Sequence, residues 1–216
     1  MSRIVVLISG GGSNLQSLLD QCQSGTLNAE IVAVISNRPD AFGLSRARQA
    51  GVKALTLDHK GFANRADFDR SLADLIDDQR PDLVVLAGFM RILTDDFVNR
   101  FLGRMINIHP SLLPRYPGLN THQRALDAGD PAGGATVHFV TTQLDGGPAI
   151  AQVEVPIDAA DDAVSLAKKV LTQEHKLYPV VVDWFVSGRL QLDRNQAVFD
   201  GTPLPKSGRL LDTATL

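Results

Sequence analysis

This chain has few of the residues that would staple it or carry it through a membrane. Cys22 is the one cysteine among 216 residues. That excludes an intramolecular disulfide framework and a multi-cysteine metal site. Cys22 falls on the stretch expected to form the first helix and is read as a small buried hydrophobe. The formal net charge is only −3, so the basic footprint of a nucleic-acid binder is missing. The N-terminal apolar run, Arg3-Ile-Val-Val-Leu-Ile8, is far too short to span a bilayer and lacks the pattern of a signal peptide. The expectation is a cytoplasmic protein with neither nucleic-acid nor membrane partners. His59, His122, His138 and His175 are too scattered to suggest a metal-ligand set, so each defaults to a structural or surface role, although His138 lies within a strand and could line a site.

What is present is a full core. Hydrophobic residues make up 44% of the chain, which is ordinary for a globular domain. The length suits one domain, with its body over 1–190 and an extension over 191–216 packed on or loosely over it. Apolar, β-branched runs at Arg3–Ser9, Ile31–Ser36, Leu83–Ala87 and Met105–His109, with a weaker one at Ala54–Leu57, read as strands covered on both faces. Amphipathic stretches at Asn14–Gln23, Gly43–Ala50, Asn64–Asp77 and Thr94–Phe101 alternate with them. This order predicts an α/β fold: a mostly parallel, doubly wound, Rossmann-like sheet with helices on both faces. The later part changes character. Ala135–Val140 and Ile150–Val155 read as an antiparallel pair, Ser165–Ser187 as a long helix bent at Pro179, and the tail from Gly201 as a segment without apolar periodicity.

Three places stand out chemically. The first is Ser9-Gly-Gly-Gly-Ser-Asn14, between the first strand and the first helix. Glycines allow a close backbone approach, and a helix N-terminus offers free N–H groups and partial positive charge to an anion. A plain strand-to-helix turn is the alternative. A nucleoside-triphosphate loop would need a Lys after the last Gly. A dinucleotide fingerprint would need Gly where Leu15 stands and a carboxylate where the second strand ends in Ser36-Asn37. A single phosphate monoester on a small substrate fits better.

The second place is Met105-Ile-Asn-Ile-His-Pro-Ser-Leu-Leu-Pro114. Asn107 and His109 lie two apart on a strand and so share a face, and Pro110 keeps His109 out of helical geometry. An amide and an imidazole at a strand's end can both reach one reacting carbonyl, although a lone histidine there more often serves structure than chemistry. The third is Asp145 in Leu144-Asp-Gly-Gly-Pro148, where the glycines permit a turn that could aim the carboxylate inward; Asp-Gly-Gly is also ordinary turn chemistry.

Taken together, Ile4-Val-Val-Leu-Ile-Ser-Gly10, Leu83-Val-Val-Leu-Ala-Gly-Phe-Met-Arg-Ile-Leu93, Asn107-Ile-His-Pro-Ser-Leu-Leu-Pro114 and Thr172-Gln-Glu-His175 resemble the phosphoribosylglycinamide formyltransferases, folate-dependent enzymes of purine synthesis. The resemblance covers nearly the whole chain. It implies a catalytic domain over 1–190 that takes two small molecules, glycinamide ribonucleotide and the co-substrate 10-formyltetrahydrofolate, without a metal, as a monomer or homodimer. It implies that Gly12, Ser13 and Asn14 hold the ribonucleotide phosphate, and that Leu171, Thr172, Gln173 and Glu174 meet the same substrate. Arg65, Met90, Arg91, Ile92 and Leu93, with Thr141, Thr142, Gln143 and Leu144, would contact the folate. Asn107 and His109 would be catalytic, with Asp145 favouring the charged imidazole and raising its pKa. A cis peptide at Leu113-Pro114 is expected on the same ground. Gly11 stands where many relatives carry Asn or Arg, and Thr142-Gln143 replaces a more acidic loop of some relatives. A formyltetrahydrofolate hydrolase and a non-catalytic nucleotide-binding module remain as alternatives.

Overall fold

The computed structural model describes residues 1–213. The chain divides into two compact units, Met1–Asn107 and Ile108–Leu216.

The first unit alternates strand and helix: β1 (Ser2–Ile8), α1 (Ser13–Gln23), β2 (Ala29–Ser36), α2 (Gly43–Gln49), β3 (Ala54–Thr56), a 3-10 turn at His59–Gly61, α3 (Arg65–Asp77), β4 (Leu83–Leu86), α4 (Asp95–Arg100) and the start of β5 (Met105–His109). All its strands pair in parallel, in the order β5-β4-β1-β2-β3. Parallel strands of this kind are covered on both faces, which is why β1 reads as an unbroken apolar run. Val5, Val6, Leu7 and Ile8 have no exposed surface. The helices bury one stripe each, such as Leu15, Leu18 and Leu19 on α1 and Phe68, Leu72 and Ile76 on α3. Cys22, expected to be buried, is half-buried, because it sits in the last turn of α1, where the apolar stripe runs out. Burial still pushes its thiol up to about 11.

The second unit holds the end of β5, α5 (Thr121–Asp127), β6 (Ala132–Phe139), β7 (Ala149–Pro156), α6 (Ala163–Val186), β8 (Leu190–Asp193), β9 (Gln196–Phe199), β10 (Thr202–Pro203) and β11 (Arg209–Leu211). β6 and β7 are antiparallel, as the sequence predicts, with Thr136 opposite Gln152. α6 packs on this pair and runs through Pro179 without ending. Its start is fixed by a capping box in which Asp162 and Ser165 exchange side-chain-to-backbone bonds of 2.7 and 2.9 Å. β8, β9 and β10 form a separate antiparallel sheet. The stretch from Gly201 contributes β11, which pairs in parallel with β7. That short strand takes its order from β7, which explains why it left no periodic signal of its own. α5 is likewise absent from the sequence reading, since only Thr121 and Ala125 of its seven residues are buried. Among the described residues no helix is long and apolar enough to cross a membrane.

Candidate active site

In the first unit the turn from β1 into α1 opens on a cavity of about 550 Å³. Ser9, the three glycines, Ser13 and Asn14 line it, together with Asn37, Arg38, His59, Ala87, Gly88, Met90 and Arg91. The start of α1 differs from those of α3 and α6. Asn64 and Asp162 cap the latter two through their side chains, whereas Gly12 caps α1 with none, as is also the case at the starts of α2, α4 and α5. The first N–H groups of α1 thus have no side-chain acceptor at the cap, which suits an anion. Gly12 is needed there. Its φ is +70°, and a Cβ on it would lie 2.8 Å from the Gly43 Cα. The turn is braced from α2: the Gly43 N–H donates to the Gly10 carbonyl at 3.0 Å and Arg46 Nε to the Gly11 carbonyl at 2.9 Å.

The far wall of this cavity is built by polar contacts. Ser9 Oγ donates to Asn37 Oδ1 at 2.6 Å and accepts from the Met90 N–H at 2.7 Å. His59 Nδ1 donates to the Asn37 carbonyl at 2.9 Å. Ser9 opens the glycine-rich run singled out from sequence, whereas Asn37, Arg38 and His59 have no site role there. Asn37, at the end of β2 on the same side of the sheet as the first turn's glycines, was the available signal. Met90 and Arg91, expected at the folate, line this cavity beside Gly12, Ser13 and Asn14. Ile92 is exposed, Leu93 half-buried, and Arg65 exposed at the first position of α3. Arg91 lays its guanidinium over the Phe68 ring, 4.7 Å from the centroid. Asn107 is half-buried in β5, opposite Leu86 of β4.

In the second unit His109 and Asp145 come together. Their side chains are 8% and 10% exposed, and His109 Nδ1 lies 3.5 Å from Asp145 Oδ2. The other ring nitrogen, Nε2, donates to the Tyr116 carbonyl at 2.9 Å. Each ring nitrogen therefore faces an oxygen acceptor. Asp145 has a φ of +49° and accepts the Gly118 N–H at 2.8 Å. Its turn requires Gly147, where a Cβ would run into the Phe139 carbonyl.

Two more histidines join this cluster. His138 places Nε2 3.9 Å from Asp145 Oδ1 and donates from Nδ1 to the Phe139 carbonyl at 2.9 Å. Burial holds His138 below the ordinary histidine range, against the opposing pull of that carbonyl and of the Asp145 charge. Burial also lowers His122, with the nearby His109 adding to the effect. The turn after His109 is pinned from β6 and β7. Thr136 Oγ1 donates to the Ser111 carbonyl at 2.6 Å and accepts the Leu113 N–H at 3.0 Å, and Gln152 Nε2 donates to the Leu113 carbonyl at 2.7 Å. The Leu113-Pro114 bond is cis, as expected. Thr142, Gln143 and Leu144 are exposed and Thr141 half-buried. On α6, Glu174 is buried, Leu171 and Gln173 are half-buried and Thr172 is exposed. Among the described residues no cluster of His, Cys, Asp or Glu could hold a metal ion.

An anion pocket at a strand-to-helix turn and a buried imidazole–carboxylate pair suit an enzyme that moves a small group onto or off a phosphorylated substrate. The chain belongs to the formyl transferase family, whose profile matches residues 2–182. Within that family it falls with the phosphoribosylglycinamide formyltransferases, which make purines, and it is an enzyme of that kind. It is 53% identical to the phosphoribosylglycinamide formyltransferase of Escherichia coli K12, over 97% of this chain and 99% of that one. The corresponding Haemophilus influenzae protein is 49% identical over 96% and 98%. The solved structure of the Coxiella burnetii phosphoribosylglycinamide formyltransferase superposes with a TM-score of 0.94 at 51% identity, covering 97% of this chain and 99% of that one.

Proposed function

We propose that the protein transfers the formyl group of 10-formyltetrahydrofolate to the amine of glycinamide ribonucleotide. The neutral amine attacks the formyl carbon, negative charge gathers on the formyl oxygen, and the tetrahedral intermediate then collapses: the bond from the formyl carbon to N10 breaks, the proton lost by the attacking nitrogen ends on N10, and tetrahydrofolate leaves. The Asn107 amide and the protonated ring of His109 stabilise that oxyanion. Asp145 favours the charged ring through its opposite charge. In the resting site the His109 Nε2–H rests on the Tyr116 carbonyl. An oxyanion is a stronger acceptor than a neutral carbonyl, so the proton donor can change partner as charge develops. The observation that carries this reading is the buried His109–Asp145 pair, 3.5 Å apart.

Gly12, Ser13 and Asn14 take the ribonucleotide phosphate, and Leu171, Thr172, Gln173 and Glu174 meet the rest of that substrate. The folate is assigned to Arg65, to Met90, Arg91, Ile92 and Leu93, and to Thr141, Thr142, Gln143 and Leu144. Residues 1–190 hold every residue given a role, with 191–216 as an accessory extension. The enzyme works in the cytoplasm on these two small molecules, as a monomer or homodimer.

A formyl-transfer assay following loss of 10-formyltetrahydrofolate tests the reading. Turnover should depend on the ribonucleotide. His109→Ala should lower kcat by roughly 10²–10³, the usual cost of an oxyanion donor, with ribonucleotide binding retained. Turnover without ribonucleotide would favour the hydrolase, and full activity in a folded His109→Ala protein would remove His109 from the chemistry.

A further inference from the structure

Between β4 and α4 the chain crosses residues 87–94 without regular structure. Gly88 turns it at a φ of +76°, and Met90 and Ile92 are exposed. Irregular backbone has no helix or strand ladder to satisfy it, so side chains from elsewhere must hold it. Three side chains do so. Ser9 Oγ accepts the Met90 N–H at 2.7 Å. The Phe68 ring carries the Arg91 guanidinium 4.7 Å from its centroid. Asp69 Oδ2 accepts the Thr94 N–H at 2.6 Å. The last two holds come from adjacent residues of α3. Asp69 is an unexpected residue there. α3 buries Phe68, Asp69, Leu72, Ala73 and Ile76 as one stripe, and Asp69 is only 1% exposed within it. A buried carboxylate is costly unless its oxygens are partnered. Among the described residues Asp69 Oδ1 has no hydrogen-bond partner, so packing does not account for an acid at this position. What Asp69 does is hold Thr94.

We propose that Asp69 is a positioning residue for the folate: its bond to the Thr94 N–H fixes the far end of the 90–93 segment and thereby sets the affinity for 10-formyltetrahydrofolate. The two ends of the segment are held separately. Met90 is fixed by Ser9 and lines the phosphate cavity. Ile92 and Leu93 do not line that cavity and lead directly into Thr94. Releasing Thr94 frees Ile92 and Leu93 while Met90 stays in place. A hydrogen bond to a charged group shifts an equilibrium by roughly 10–150-fold. Apparent affinity falls in proportion to the fraction of molecules that hold the binding arrangement. The folate should therefore feel the loss of Asp69, and the ribonucleotide should not.

The test is steady-state kinetics of the full-length protein with both substrates varied, and thermal melts alongside. Asp69→Leu removes the acceptor and keeps an apolar side chain on the buried stripe. Its KM for 10-formyltetrahydrofolate should rise about tenfold or more. KM for the ribonucleotide should stay within about twofold and kcat within about threefold, the pattern of lost uniform binding. Asp69→Asn keeps an acceptor for the Thr94 N–H and should hold the folate KM within about threefold of wild type. Where Asp69→Leu does not fold, Thr94→Pro removes the same bond from its other end. Thr94 has a φ of −73° and its side chain makes no cap bond, so proline suits the position, and the folate KM should rise by the same order. A folded Asp69→Leu or Thr94→Pro protein with wild-type folate KM overturns the proposal. So does an equal rise in both KM values, or a rise in Asp69→Asn as large as in Asp69→Leu. This role for Asp69 rests on the reading that places the folate at residues 90–93, and Ile92→Ala tests that reading separately. Ile92 is 58% exposed, so its truncation costs the fold little. A raised folate KM in Ile92→Ala beside an unchanged one in Asp69→Leu keeps the reading and sinks only the role of Asp69. An unchanged folate KM in Ile92→Ala removes the segment from the folate site, and the role of Asp69 with it.

Discussion

Replacing Gly12 by alanine adds one methyl group at the point where the phosphate turn is tightest. Two costs follow from the geometry. At a φ of +70° an L-residue sits in the left-handed region, at about 1–2 kcal/mol. The new Cβ would also stand 2.8 Å from the Gly43 Cα and 3.6 Å from Arg46 Cδ. The arginine end can swing aside, but the Gly43 backbone cannot, because its N–H is tied to the Gly10 carbonyl at 3.0 Å. Overpacking of this kind costs about 1–3 kcal/mol. A total of roughly 2–5 kcal/mol corresponds to a fall in Tm of roughly 4–20 °C at about 2–4 °C per kcal/mol for a chain of this size. The strain can be relieved only by moving the turn, which takes the first N–H groups of α1 with it. One lost hydrogen bond to a charged group costs about 1.5–3 kcal/mol, or roughly 10–150-fold in Kd. Calorimetric titration should therefore show ribonucleotide binding weakened by about that factor, with folate affinity within about twofold of wild type. A variant with the expected fall in Tm but unchanged ribonucleotide affinity would show that the turn moved and the phosphate did not notice. Lost folate affinity with intact ribonucleotide affinity would assign the turn to the other ligand.

Two further outcomes are expected. Asp145→Asn removes a charge 3.5 Å from His109, an interaction of about 1–5 kcal/mol for an effective dielectric between bulk water and about 20. It should lower kcat between about fivefold and about five-thousandfold, and an unchanged kcat in steady-state assays of the folded variant would refute the electrostatic role. Asp161 is held down to about 2 by Lys169, by the Asp158 N–H and by Ser165. A carboxyl depressed in the folded state stabilises above its unfolded value near 3.8, and that stabilisation disappears as pH falls toward 2. Thermal melts of wild type and Asp161→Asn should differ at neutral pH and converge near pH 2; a gap that stays constant through this window would refute the linkage.

Much of this protein can be read from residue order alone. The β1, β2, β4 and β5 runs announce themselves because strands covered on both faces must be apolar throughout. The helices between them show a 3.6-residue stripe because each buries one side. Gly12 and Asp145 are visible as turn chemistry, since few residues tolerate the backbone angles required there. His109 stands out because a strand otherwise made of Met, Ile and Asn ends on a titratable ring followed by Pro110.

Other features existed only once the chain had folded. Ala132–Phe139 carries Thr136 and His138 to the turn that follows β5, and nothing local marks them as different from core residues. Tyr116 and Asp130 carry no signal in residue order, yet folding brings the Tyr116 hydroxyl to Asp130 and the Tyr116 carbonyl to His109. β11 has too few residues to signal a strand and is ordered by its neighbour β7. Local sequence encodes backbone preference and the burial of whole faces, because both repeat with the period of the element. Which proton donor meets which acceptor depends on distances between residues far apart in the chain, and those are decided only by tertiary packing.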